Sequence, residues 1–159
     1  MRERCKRLMK KNKKKSVIGV TFLFVVFMII AVGCSKKTSY EQNVASFTPI
    51  TIEEANNNIE KGTPFIIYFS KEPCPFCVEV VNNVRSAARQ QGVEIFYVDT
   101  DIPDIEKDEA YVEFRKKYDI ESDPAMLLFT EDDYSHGWLI TDTDEIALVF
   151  KKYLAKISK

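Results

Sequence analysis

Phe65-Ile66-Ile67-Tyr68-Phe69-Ser70-Lys71-Glu72-Pro73-Cys74-Pro75-Phe76-Cys77 is the stretch whose reading decides how this 159-residue chain folds. Its first five residues are apolar, β-branched or aromatic, and too few for a free-standing helix, which is the pattern of a strand buried on both faces. Beyond it, Cys77, Val80, Val81, Val84 and Ala88 recur at helical spacing, and Gly92 stands where such a helix would end. The cysteine pair therefore falls where a central strand turns into a helix.

Working outward, Thr51-Ile52-Glu53-Glu54 fits a capping box, and Ile52, Ala55 and Ile59 line one face of a helix that Gly62 stops. Val93 to Val98 is expected to be the next strand. An acidic loop follows it, and Tyr111, Phe114 and Tyr118 mark another helix. Ala125 to Phe129 is an apolar strand entered through Pro124. After the turn at Glu131-Asp132-Asp133, Tyr134 to Ile140 is expected to form a short edge strand. Ile146, Val149, Phe150, Tyr153, Leu154 and Ile157 then give the last helix a wide apolar stripe. Strands alternating with helices, followed by a hairpin and a helix, imply an α/β domain with a central mixed sheet covered on both faces.

The chemistry centres on Cys74-Pro75-Phe76-Cys77. A cysteine at a helix N-terminus meets free N–H groups and the positive end of the macrodipole, which favour its thiolate, so Cys74 is the attacking sulfur. Cys77, one turn later, can attack a mixed disulfide on Cys74 and release the client. Pro75 suits a first helical turn, because it has no N–H to leave unpaired there. A zinc site would need further ligands, yet beyond Cys34 the sequence holds no third cysteine and one histidine, His136. A purely structural disulfide would close only a tiny loop and constrain the unfolded chain little. Asp99, Asp101, Asp104, Glu106, Asp108 and Glu109 lack the glycine and spacing of an EF-hand and are expected to be solvated. Nothing flanking His136 supports a cysteine-histidine hydrolase. No metal and no organic cofactor are implied.

Tyr68 to Cys77, Tyr97-Val98-Asp99-Thr100-Asp101 and Asp123-Pro124-Ala125-Met126-Leu127-Leu128-Phe129 together resemble the thioredoxin superfamily over most of the chain after Phe47. The resemblance implies a thioredoxin-like fold in which Pro124 is cis, packs beside the cysteines and, with Asp123, Pro75 and Phe76, faces an extended client. A trans proline opening a strand is the plainer alternative. The sequence departs from thioredoxin proper in having Pro73 before the pair and Pro-Phe within it, closer to glutaredoxin patterns. Where thioredoxin carries a buried Asp six residues before the first cysteine, Tyr68 stands here. Lys71, Glu72 and Glu79 are then candidates, by proximity alone, for managing the proton of Cys77. Asp123, where an apolar residue or Thr is usual, is expected to set a carboxylate near Cys74 and oppose its thiolate. Within the superfamily the pattern is most like bacteriocin transport accessory proteins and other thioredoxin-like lipoproteins of Gram-positive bacteria.

The N-terminus carries an address. Residues 1–33 hold nine Lys/Arg and one acid, with an apolar run from Val17 to Val32 interrupted by Gly19 and Thr21. A helix of that length covers about 24 Å, short of the roughly 30 Å of a hydrocarbon core. Ala31-Val32-Gly33-Cys34-Ser35 resembles a lipobox, with Cys34 the lipidated residue and Ala31 where Leu is more usual. Either a cleaved lipoprotein signal or an uncleaved anchor places everything after Cys34 outside the cytoplasm. Residues 34–46 are expected to be a polar tether and 47–159 the domain.

Without its first 33 residues the chain keeps 14 basic and 23 acidic residues, a net charge near −9 that disfavours nucleic acid as a partner. The expected function is a membrane-tethered, extracytoplasmic thiol-disulfide oxidoreductase. Its expected partners are an exported protein or peptide with cysteines, such as a bacteriocin, and a membrane redox protein that restores its electrons. The alternative is a non-catalytic accessory protein that binds an exported peptide or its transporter.

Overall fold

The computed structural model describes residues 39–137 and 142–158, all within the compact unit Lys37–Lys159. The expected signal or anchor, Cys34 and the last residues, 138–140, of the expected edge strand lie outside the described residues. In chain order the elements are α1 (Ser39–Val44), β1 (Thr48–Pro49), α2 (Ile52–Glu60), β2 (Phe65–Ser70), α3 (Pro75–Gln91) and β3 (Phe96–Asp99). A 3₁₀ turn (Ile105–Lys107), α4 (Glu109–Lys117), β4 (Ala125–Phe129), β5 (Tyr134–His136) and α5 (Thr143–Ile157) complete them.

The sheet order is β1-β3-β2-β4-β5. β1, β3 and β2 run parallel, while β4 and β5 are antiparallel to their neighbours. Strand β2 is central, and all six of its residues are buried. Because side chains alternate across a strand, Ile66 and Tyr68 enter the core formed with α1, α3 and α5, while Phe65, Ile67 and Phe69 enter the one formed with α2 and α4. The second core is largely aromatic. Phe65 stacks on Phe129 at 4.8 Å between ring centres, and Tyr118 meets Phe129 edge-on at 5.1 Å. Such pairs contribute about 1 kcal/mol each beyond the area they bury.

Local chemistry sets the element ends. Thr51 and Glu54 form the expected capping box, with the Glu54 N–H donating to Thr51 Oγ1 and the Thr51 N–H to Glu54 Oε2. Gly92 ends α3 at φ 66°, a left-handed position that glycine adopts without steric cost. Asp108 caps α4 by accepting the Tyr111 N–H and Asp99 accepts the Asp101 N–H, so two carboxylates of the acidic set have a structural use. The others there are exposed, and Asp104 pairs with Lys107.

Three boundaries differ from expectation, the first being that β5 ends at His136, with Gly137 already outside it. β3 starts at Phe96 rather than Val93, because pairing with β2 begins where Phe96 meets Ile67. More consequentially, the domain does not begin at Phe47. The second half of the expected 34–46 tether is helix α1, whose Tyr40 and Asn43 are buried against α3. Tyr40 and Val44, packed into the core, and an amide bonded by Arg85 Nη1 at 3.1 Å dock a segment with no apolar stripe.

Candidate active site at the start of helix α3

Cys74 is the N-cap of α3, and Pro75 opens the helix. The cap is made by sulfur: the Cys77 backbone N–H donates to Cys74 Sγ at 3.3 Å. That is the contact a thiolate needs, since it satisfies one of the free donors of the first turn while stabilising negative charge. Cys74 is half-buried and Phe76 is 63% exposed, so the first sulfur and the ring beside it are accessible from outside. Cys77 is fully buried one turn on, and both thiols are free. Burial pushes the Cys77 thiol up to about 11, and its hydrogen bond with Cys74 adds to the rise. The two sulfurs thus differ in access, as a nucleophile and a resolving thiol must.

The loop before β4 completes the site. The Asp123–Pro124 peptide is cis, as the resemblance implied, and Pro124 is buried. The Asp123 carbonyl faces Cys74 Sγ at 3.7 Å and accepts from its thiol. A shallow cavity of about 60 Å³ adjoins Pro124, lined by Asp119, Glu121, Ser122, Met126 and His136 among others.

The Asp123 side chain is 7% exposed and enclosed by donors: Thr100 Oγ1 at 2.6 Å, Arg115 Nη1 at 2.8 Å and Lys71 Nζ at 3.6 Å. Two cations and a hydroxyl surround the carboxylate and tie Thr100 after β3, Arg115 on α4 and Lys71 after β2 to the cis peptide.

No protein-family model matches the chain, and no curated protein sequence matches it. Solved structures do. The J-Trx1 fragment of ERdj5 matches with a TM-score of 0.57 at 11% identity, over 73% of this chain and 55% of the fragment. The chain therefore spans about half the length of that fragment. Chloroplastic thioredoxin z matches at 0.52 and 15% identity, over 69% of this chain and 96% of its own. Thioredoxin from Aeropyrum pernix gives 0.51 and 17%, over 65% and 83%.

The fold is thioredoxin-like. At these identities the likeness is one of fold, and the chemistry must be argued from this chain's own residues. On the thioredoxin-like scaffold Tyr68 is buried, and its hydroxyl has no hydrogen-bond partner of good geometry among the described residues. Of the candidates for handling the Cys77 proton, the Lys71 side chain pairs with Asp123 and Glu72 and Glu79 are exposed, while the Lys71 backbone, not its amine, bears on Cys77 and favours its ionised form. Sequence reasoning missed Arg115 and Thr100, which hold Asp123, and Tyr40, which approaches Ser70 behind the cysteines. The aromatic ring of Tyr40 amid polar residues, with Val44 four positions on, is the one signal that pointed there; for Arg115 the sequence carries none.

Proposed function

We propose that the protein is a membrane-tethered, extracytoplasmic thiol-disulfide oxidoreductase. The observation that carries the redox part is the paired geometry of a half-buried Cys74 at a helix cap, bonded by the Cys77 N–H, and a fully buried Cys77 one turn later. In the reducing direction the Cys74 thiolate attacks a client disulfide, forming a Cys74–client bond and expelling one client sulfur. Cys77 then attacks Cys74, the Cys74–Cys77 disulfide forms, and the second client sulfur leaves and takes up the proton that Cys77 gives up. The opposite direction inserts a disulfide by the same bonds. Pro124, the Asp123 backbone, Pro75 and the exposed Phe76 receive the client chain.

The location rests on residues 1–34: the basic flank, the apolar run and Cys34 in its small-residue setting. The client is an exported protein or peptide with cysteines, a disulfide-containing bacteriocin being the case suggested by the resemblance, and a membrane redox protein restores the dithiol or disulfide. In the test, full-length chain, Cys74→Ser and Cys77→Ser are compared in exchange with a small disulfide. Exchange falls to background in both variants, and Cys77→Ser alone accumulates a mixed disulfide on Cys74. Unchanged client secretion with both cysteines replaced would instead favour the non-catalytic accessory role.

A further inference from the structure

Asp123 is the residue before the cis peptide, and both oxygens of its carboxylate are held. Arg115 Nη1 on α4 donates to Oδ1 at 2.8 Å, Thr100 Oγ1 after β3 donates to Oδ2 at 2.6 Å, and Lys71 Nζ after β2 lies 3.6 Å from Oδ2. Each holder is itself anchored. Arg115 Nη1 also donates to Tyr111 Oη at 2.9 Å, with the guanidinium 5.5 Å from the Tyr111 ring centre, and Tyr111 is buried in the second core. The Thr100 N–H donates to the Ser70 carbonyl at the end of β2 at 3.1 Å. The Lys71 carbonyl accepts the Cys74 N–H at 3.4 Å, so the loop that delivers the nucleophile is tied to the same carboxylate. At the other end of the residue, the Asp123 carbonyl lies 3.7 Å from Cys74 Sγ. A buried ion pair can often be exchanged for apolar residues without loss of stability, so stability alone gives this one no purpose. Directed bonds from three elements do provide a fixed distance between the cis-peptide backbone and the sulfur.

We propose that Arg115 and Thr100 are positioning residues: through the Asp123 carboxylate they set the spacing between Cys74 Sγ and the client-binding backbone, and thereby favour extended peptide disulfides over small ones. The proposal rests on the oxidoreductase reading. A peptide client must bring its sulfur in line with Cys74 while its chain lies along Asp123 and Pro124, so an error in the spacing is felt by both contacts at once. A small disulfide has no chain to dock and meets only the sulfur. The balance is that of the exchange itself: the client disulfide takes two electrons and becomes two thiols, while Cys74 and Cys77 give up their protons and join as a disulfide. Arg115 and Thr100 act through Asp123 and exchange neither electron nor proton.

The test follows oxidation of the reduced full-length chain by two probes of the same chemistry. One is 2-hydroxyethyl disulfide; the other is a short unstructured peptide whose single cysteine is joined to 2-mercaptoethanol by a disulfide. Arg115→Leu and Thr100→Val are each expected to lower the ratio of the peptide rate constant to the small-disulfide rate constant by about tenfold, since a misplacement of about 1 Å can cost up to about a hundredfold. Thr100→Val keeps the shape of the side chain, so it remains informative should Arg115→Leu fold poorly. In Arg115→Leu/Asp123→Val, stability is expected to return while the ratio stays low, whereas a merely structural pair would restore both. A ratio at the wild-type value in both single variants, or one that recovers together with stability in the double variant, would overturn the proposal. A wild-type chain inert toward both probes would remove the oxidoreductase reading itself, and this proposal with it.

Discussion

Asp123 shows how a residue can be placed as expected while its partners go unseen in the sequence. The carboxylate lies beside the cis peptide, but Arg115, Thr100 and Lys71 enclose it. Removing one partner of a buried pair strands the other charge, so Arg115→Leu should cost about 3 kcal/mol in urea unfolding. The double variant Arg115→Leu/Asp123→Val should recover most of that loss; a single-variant cost below about 0.5 kcal/mol would class the contact with surface pairs. Cys77 supplies a pH prediction. Its folded-state value, about 11, lies above the ordinary 9.0, so the dithiol form holds this contribution fully below pH 9 and loses it as pH rises through 9 to 11. Thermal scans of reduced protein should show that decline, and Cys77→Ala should flatten it. A wild-type scan flat across that range would refute the assignment. At this scale the cysteines were legible because chain-local spacing sets their relation, and Pro124 because the family resemblance placed it beside them. Arg115, Thr100 and Tyr40 were not, because each meets its partner only after distant elements pack.

At the scale of elements, the helices from α2 onward and the strands β2 and β4 follow from periodicity, since a buried stripe or a doubly buried strand leaves a repeating pattern. Helix α1 leaves none. Its six residues are polar except Tyr40 and Val44, and it is held by the Tyr40 hydroxyl network and by Arg85 on Asn43. β1 was equally illegible, because two residues pairing with β3 are too few to show alternation. A chain beginning at Phe47 should unfold at markedly lower urea concentration than one beginning at Lys37. The loss should be about 3 kcal/mol, the typical cost of emptying a buried aromatic site. Equal midpoints would return residues 39–46 to the role of a tether.

Across the whole molecule, β2 joins the parts that matter. Its odd-numbered aromatics anchor one core, Ile66 and Tyr68 anchor the other, and its C-terminal end at Ser70 carries the chain to Cys74 beneath the cis peptide before β4. The continuous apolar run made that centrality readable, and the cysteine spacing placed the site at its end. The polarity of the surroundings was not readable: two cations gathered on Asp123 and the bonded hydroxyls of Tyr40, Ser70 and Tyr97 are properties of the packed molecule. The central claim is that this pair cycles between dithiol and disulfide, and equilibration of the full chain against thiol-disulfide buffers of graded potential tests it most directly. The account predicts a single two-electron transition, between about −270 and −120 mV, that vanishes in Cys74→Ser. A pair that shows no transition across that span, or one that persists without Cys74, would contradict it.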